Sequence, residues 1–132
     1  MTHSSKALGL ATILALVLPA AAAAQGGGFS VDPAKAEAGK KAYVKFGCQG
    51  CHKIGGTTSG PDLAGLLDRR SVDWVTRWLK NTTAMLSTDS TAMALLKEWK
   101  GYKMPQMKVS DADIDNLLHY ITSESAKLKM KG

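Results

Sequence analysis

Within the first half of the chain stands Cys48-Gln49-Gly50-Cys51-His52. Two cysteines three apart, followed at once by histidine, form the C-x-x-C-H pattern through which haem is attached and ligated. On one turn of irregular helix the two thiols reach the two vinyl groups of a porphyrin. The histidine then points under the ring, at the iron, while Gln49 and Gly50 let the backbone lie close to the macrocycle. A zinc site needs further ligands, normally a second cysteine pair, and the chain has only two cysteines. A redox dithiol of the thioredoxin type needs a βαβ context, whereas the surroundings of Cys48 read as helical.

The address agrees with that motif. Met1 to Lys6 carries one positive charge, Ala7 to Leu18 is apolar, Pro19 breaks the run, and Ala20 to Ala24 supplies the small residues of a cleavage site. The expected cut follows Ala24, with the neighbouring alanines as alternatives. The rival reading, an uncleaved anchor over Ala7 to Ala24, only just reaches the length of a marginal span. Cleavage removes one lysine from the 132 residues, so the rest keeps a charge one below the +6 of the whole chain. Export exposes two nearby thiols to oxidation, and thioether bonds to haem remove that liability. The expectation is a periplasmic protein with no stable membrane span after cleavage.

The domain plan is a signal at 1–24, a flexible lead at 25–31, one domain at 32–126 and a basic, frayed tail at 127–132. Gln25 to Phe29 is glycine-rich with nothing to pack. Asp32 caps a first helix, with Pro33 at its first position, running to about Phe46. Gly39 is costly inside it unless another element packs closely there. Ile54 to Leu63, with three glycines and a proline, is loop. Ser71 caps a second helix over about 72–81, with Val72, Val75 and Leu79 on one stripe and Trp74 and Trp78 beside it. Those tryptophans are either core or partners of a haem edge or propionate. Asn81 to Ser87, small and polar, reads as a connecting loop. A third helix from Thr88 or Asp89 to about Lys100 turns Ala92, Leu95, Leu96 and Trp99 inward, and Gly101 stops it. Ser110 and Asp113 cap the last helix, where Ile114, Leu117, Leu118 and Ile121 form a full stripe. No strand pattern and no repeat is present, and the fold class is all-α: four to five helices around one covalently bound haem.

One histidine leaves the haem open for chemistry or closed by a second ligand. Candidates are His119, Met85, Met93, Met104, Met107 and Met130. Met85 and Met93 lie in or beside apolar stripes, Met130 lies in the tail, and His119 reads as a surface or rim residue. Met104 follows Gly101 in a loop and is braced by Pro105. Met107 lies in the same loop, and spacing does not separate the two.

Taken together, these features resemble the small monohaem class I cytochromes c over about residues 32–125. Gly39 and Tyr43 are similar to the glycine and aromatic of that family's first helix. Cys48, Cys51 and His52 match its attachment site. Gly60-Pro61-Asp62-Leu63 matches its G-P-x-L loop, in which the proline carbonyl accepts the histidine's ring N–H. Met104-Pro105, followed by Val109, Ser110 and Asp111, matches its ligand loop, and Leu117 and Tyr120 match the last helix's contact with the first. The resemblance implies one haem c held by two thioethers, iron ligated by His52 and Met104, and Pro61 orienting His52. It selects Met104 over Met107. The segment from Thr82 to Lys100 is long for the family's shortest members, and serves either as docking surface or as haem cover.

His/Met ligation favours ferrous iron and suits a one-electron carrier. The leading expectation is a shuttle between a respiratory donor and a terminal reductase, oxidase or dehydrogenase, not an enzyme. The alternatives are a haem subunit fixed to one redox enzyme, or an open-site haem enzyme or ligand sensor. Lys45, Lys53, Lys103 and Lys108, with Arg69 and Arg70, are either a solvated basic face or a rim that steers acidic redox partners. No motif points to nucleic acid.

Overall fold

The structure, a computed structural model, describes residues 28–132. The expected signal at 1–24 and the start of the lead lie outside them. The described residues form five α-helices and no strand. They are α1 (Pro33–Lys45), α2 (Leu66–Arg69), α3 (Val72–Thr88), α4 (Ser90–Glu98) and α5 (Asp111–Lys129), with a 3₁₀ turn at Cys48–Gly50. None of these helices is long and apolar enough to cross a membrane.

Each long helix starts where its cap sits. The Asp32 carboxylate accepts from the N–H groups of Ala34 and Lys35, Ser71 accepts from Trp74, and Asp89 accepts from Ala92. Ser110 and Asp113 form a reciprocal capping box at the head of α5. α1 ends one residue earlier than expected, at Lys45, and Gly47 turns the chain with φ 69° directly into Cys48.

α1 and α5 make the main packing contact. A Cβ on Gly39 would stand 1.9 Å from the backbone oxygen of Asn116, so only glycine allows the helices to cross this closely. Tyr43 and Tyr120 meet beside that point with centroids 5.4 Å apart. Ala42, Tyr43 and Leu117 form one buried group, and Val75, Ile114 and Leu118 a second that brings α3 onto α5.

Six expectations are corrected. Asn81 to Ser87 is not a loop: α3 runs through it, kinked at Asn81 (φ −139°, ψ 39°). Thr82 and Met85 are buried on the far side of that kink, so burial holds a helix where local composition favoured a turn. α4 stops at Glu98, two residues early, and the chain leaves it through Lys100 (φ 52°) and Gly101 (φ 82°). Val72 is exposed and takes no part in the inward stripe. The tail is helical to Lys129, braced by Lys127 on Glu124, by Lys129 on Asp68, and by Leu128 lying against Gly55. The lead is not free of contacts either. Phe29 lies 4.6 Å from the ring of His119, which is buried rather than on the rim and accepts the Asp32 N–H at 3.0 Å through Nδ1.

Gly39→Ala should lower the stability of the haem-loaded protein by at least about 3 kcal/mol, because backbone rather than a flexible side chain blocks the added methyl. A urea unfolding midpoint equal to wild type would contradict the close crossing. The caps generate a second expectation. The Asp113 carboxyl is held below its ordinary 3.8 by the Ser110 hydroxyl and N–H. Asp89 is held low by the Ala92 N–H, and Asp32 by those of Lys35 and Ala34. A depressed folded-state value means stability that is present above 3.8 and lost as pH falls through the lower folded values. Thermal melts across acid pH should therefore show a smaller acid-induced fall for Asp113→Asn than for wild type.

Candidate functional site

The C-x-x-C-H turn hangs from the end of α1, and the loop after it is tied back beneath the histidine. The Cys51 carbonyl accepts from the Gly60 N–H at 2.8 Å and from the Thr58 hydroxyl, while Leu63 N–H donates to Lys53 at 2.9 Å. Gly60 is buried here, and a Cβ would meet the His52 ring at 2.8 Å. The Asp62 carboxylate accepts from the N–H groups of Gly55 and Ala64, each at 2.8 Å. Burial pushes its pKa up, but the N–H groups of Ala64, Gly55 and Gly56 outweigh that and hold it below the usual value. Arg69 spans the same loop, donating to the carbonyls of Asp62 and Ala64.

These ties orient His52. Its Nδ1 lies 2.8 Å from the Pro61 carbonyl. A carbonyl only accepts, so Nδ1 carries the proton and Nε2 keeps the lone pair that a metal requires. The Tyr43 hydroxyl donates to the His52 carbonyl at 2.9 Å. Burial pushes the Tyr43 pKa up to about 12, so this donor keeps its proton.

Cys48, Cys51, His52, Pro61 and Met104 all line one cavity, ≈ 1280 Å³ with its open mouth included. The structure thus brings together every residue the sequence proposed for the site. Met107, Met85, Met93, Met130 and His119 do not line it. The Met104 sulfur accepts the Trp78 indole N–H at 3.2 Å. Trp78 in turn stacks on Trp74, with centroids 5.5 Å apart and planes 9° from parallel. Trp74 donates to Asp89 at 3.1 Å. Both tryptophans considered for a haem propionate therefore have protein acceptors.

The unpaired donor is Trp99. It lines the cavity from the end of α4, and its Nε1 is buried with no partner among the described residues. The sequence placed Trp99 inward without giving it a role, because spacing reports which way a side chain faces and not whether its N–H is satisfied. A haem carries two carboxylates, the class of acceptor this donor lacks. Leucines of α2, α3 and α4 line the same cavity, with Arg69 and Arg70 also present. Two thiols, an imidazole nitrogen with a free lone pair, a thioether, a buried orphan donor and an apolar wall fit haem c and would hold it.

The family model described as cytochrome c matches residues 36–125. A search among curated proteins found no match. Among solved structures, the cytochrome c domain of the pp3183 protein from Pseudomonas putida is 33% identical, with 70% of this chain and 92% of that one covered and a TM-score of 0.62. The cytochrome c from Rhodothermus marinus has the same fold at 22% identity, with 74% and 83% covered and a TM-score of 0.69. An engineered cytochrome c from Rhodothermus marinus, bound to a carbene intermediate, is similar at 21% identity, with 75% and 84% covered and a TM-score of 0.65. With the family matched across most of its length and the cavity built for the cofactor, this chain belongs to the cytochrome c family, as a small c-type cytochrome that binds covalent haem c and transfers electrons.

Proposed function

We propose that this cytochrome is a periplasmic one-electron shuttle between a respiratory donor and a terminal reductase, oxidase or dehydrogenase, with no substrate chemistry of its own. In this reading His52 and Met104 would ligate the haem iron, and Pro61 orients His52 through its carbonyl. The observation that carries it is Met104: its loop lines the same cavity as Cys48, Cys51 and His52, and Trp78 holds its sulfur there.

Bound haem c supplies an iron that gains or loses one electron. The residues around it do the rest. Nε2 of His52 is the proximal donor, kept in one tautomer by Pro61. The Met104 thioether would hold the iron with it and, as a soft donor, would favour the ferrous state; ligand choice spans about 0.8 V across haem proteins, so it is a strong lever. With His52 and Met104 both holding the iron, oxygen and peroxide would have little access to it, which supports a carrier over an enzyme.

Lys53, Lys103 and Lys108 are exposed, and none pairs with a carboxylate among the described residues. They support an acidic redox partner drawn in by long-range attraction. Arg69 contributes less to such a rim, because its guanidinium is spent on the Asp62 and Ala64 carbonyls. The signal-like 1–24 stretch and the protection that thioethers give two nearby cysteines support export.

Optical spectra of the haem-loaded protein, with and without carbon monoxide, test this directly. Ferric wild type should show the far-red band of sulfur-ligated haem, ferrous wild type should take up carbon monoxide only slowly, and Met104→Ala should lose both properties. Ready binding of carbon monoxide by wild type would sink the carrier reading, and a persistent band in Met104→Ala would move the ligand to Met107.

A further inference from the structure

The ligand loop is tied to the break in α3 by one side chain, Gln106. In an unbroken helix the Thr83 N–H would donate to the Leu79 carbonyl. Asn81 departs from helical geometry between them, and the Gln106 amide sits in the gap. Its Oε1 accepts the Thr83 N–H at 3.2 Å, and its Nε2 donates to the carbonyls of Leu79 at 3.3 Å and Lys80 at 2.9 Å. The same Nε2 lies 3.1 Å from the carbonyl of Met107, inside the ligand loop. The orientation of the amide is fixed by these partners: reversed, it would set oxygen against carbonyls and N–H against N–H. Thr82 closes the other side of the break, its buried hydroxyl donating to the Trp78 carbonyl at 2.7 Å. Trp78 is the residue that holds the Met104 sulfur. The kink thus presents two grips on one loop, the Trp78 indole on Met104 and the Gln106 socket two residues farther on.

We infer that Gln106 is a positioning residue for the distal ligand: by completing the broken rung of α3 it holds the loop that keeps Met104 in the cavity and resists opening of that side to small ligands. This rests on the reading of Met104 as axial ligand. The amide touches neither the cavity nor the ligand itself, so it acts through the loop. Asn81 and Gln106 are both exposed, so water competes for the socket and its effect is on the frequency of opening rather than on the fold.

The test uses haem-loaded wild type, Gln106→Ala, Gln106→Glu, Met104→Ala and the Met104→Ala/Gln106→Ala double variant. Carbon monoxide uptake by the ferrous proteins and the temperature at which the ferric far-red band disappears are the readouts. Gln106→Ala should take up carbon monoxide about fivefold faster than wild type, the factor that a net loss of one ordinary hydrogen bond gives. Its far-red band should vanish at a lower temperature than its helical circular dichroism, whereas the two fall together in wild type. Gln106→Glu keeps an acceptor for Thr83 but sets a carboxylate oxygen against the carbonyls of Leu79, Lys80 and Met107, so it should speed uptake at least as much as the alanine variant, and it carries the test should the alanine variant not fold. In the Met104→Ala background the Gln106 substitution should change uptake no further. Wild-type rates in both single variants would overturn the clamp, as would an equal acceleration in the Met104→Ala background, which would mean a general loosening. Fast uptake and no far-red band in wild type itself would instead remove the ligand reading on which the clamp stands.

Discussion

The close crossing of α1 and α5 at Gly39 sets the frame of the molecule. Where a methyl would meet the Asn116 carbonyl, the two backbones touch, and the Tyr43–Tyr120 pair and Leu117 fill the space alongside. Both functional loops hang from this pair. The C-x-x-C-H turn leaves the C-terminal end of α1 through Gly47, and the methionine loop enters the capping box of α5 at Ser110. A shift of one helix against the other would move the C-x-x-C-H turn and Met104 together relative to the cavity. Lys35–Asp115 at 2.7 Å adds an exposed ion pair across the same junction, a small contribution beside the packing.

The middle of the chain closes the cavity that this frame leaves open. α3 docks on α5 through Val75 and then bends at Asn81, which lets Thr82 and Met85 go inward with α4 behind them. The kink's frayed backbone groups are satisfied by Thr82 and Gln106, as buried or bent helix segments require. The wall is therefore also the anchor for the methionine loop. The long segment between the attachment site and Met104 serves at least to cover the cavity, since Leu86, Leu95, Leu96 and Trp99 all line it.

Much of this was legible in the sequence because motif spacing and caps are local. Cys48, Cys51 and His52 lie within one turn, Pro61 lies in a glycine-bounded loop, and Asp32, Ser71, Asp89 and Ser110 stand where helices begin. The choice of Met104 over Met107 was not local and needed the family pattern; Met104 lines the cavity and Met107 does not. What the sequence hid was long-range. The run from Asn81 to Ser87 has loop composition, yet two buried residues in it make it helix. His119 looks like a polar face residue until the Asp32 N–H and the Phe29 ring, far away in sequence, are brought onto it. Gln106 carries no pattern at all, because its role exists only once α3 is broken.

Met104, which this frame brings to the cavity that His52 also lines, is proposed as the second residue that would hold the haem iron. Proton NMR of the ferrous, haem-loaded protein with isotopically labelled methionine reads that placement directly, since a methyl bound over the iron is shifted far upfield by the ring current. One such methyl is expected, present in wild type and absent from Met104→Ala. An upfield methyl assigned to Met107, or none in wild type, would contradict it.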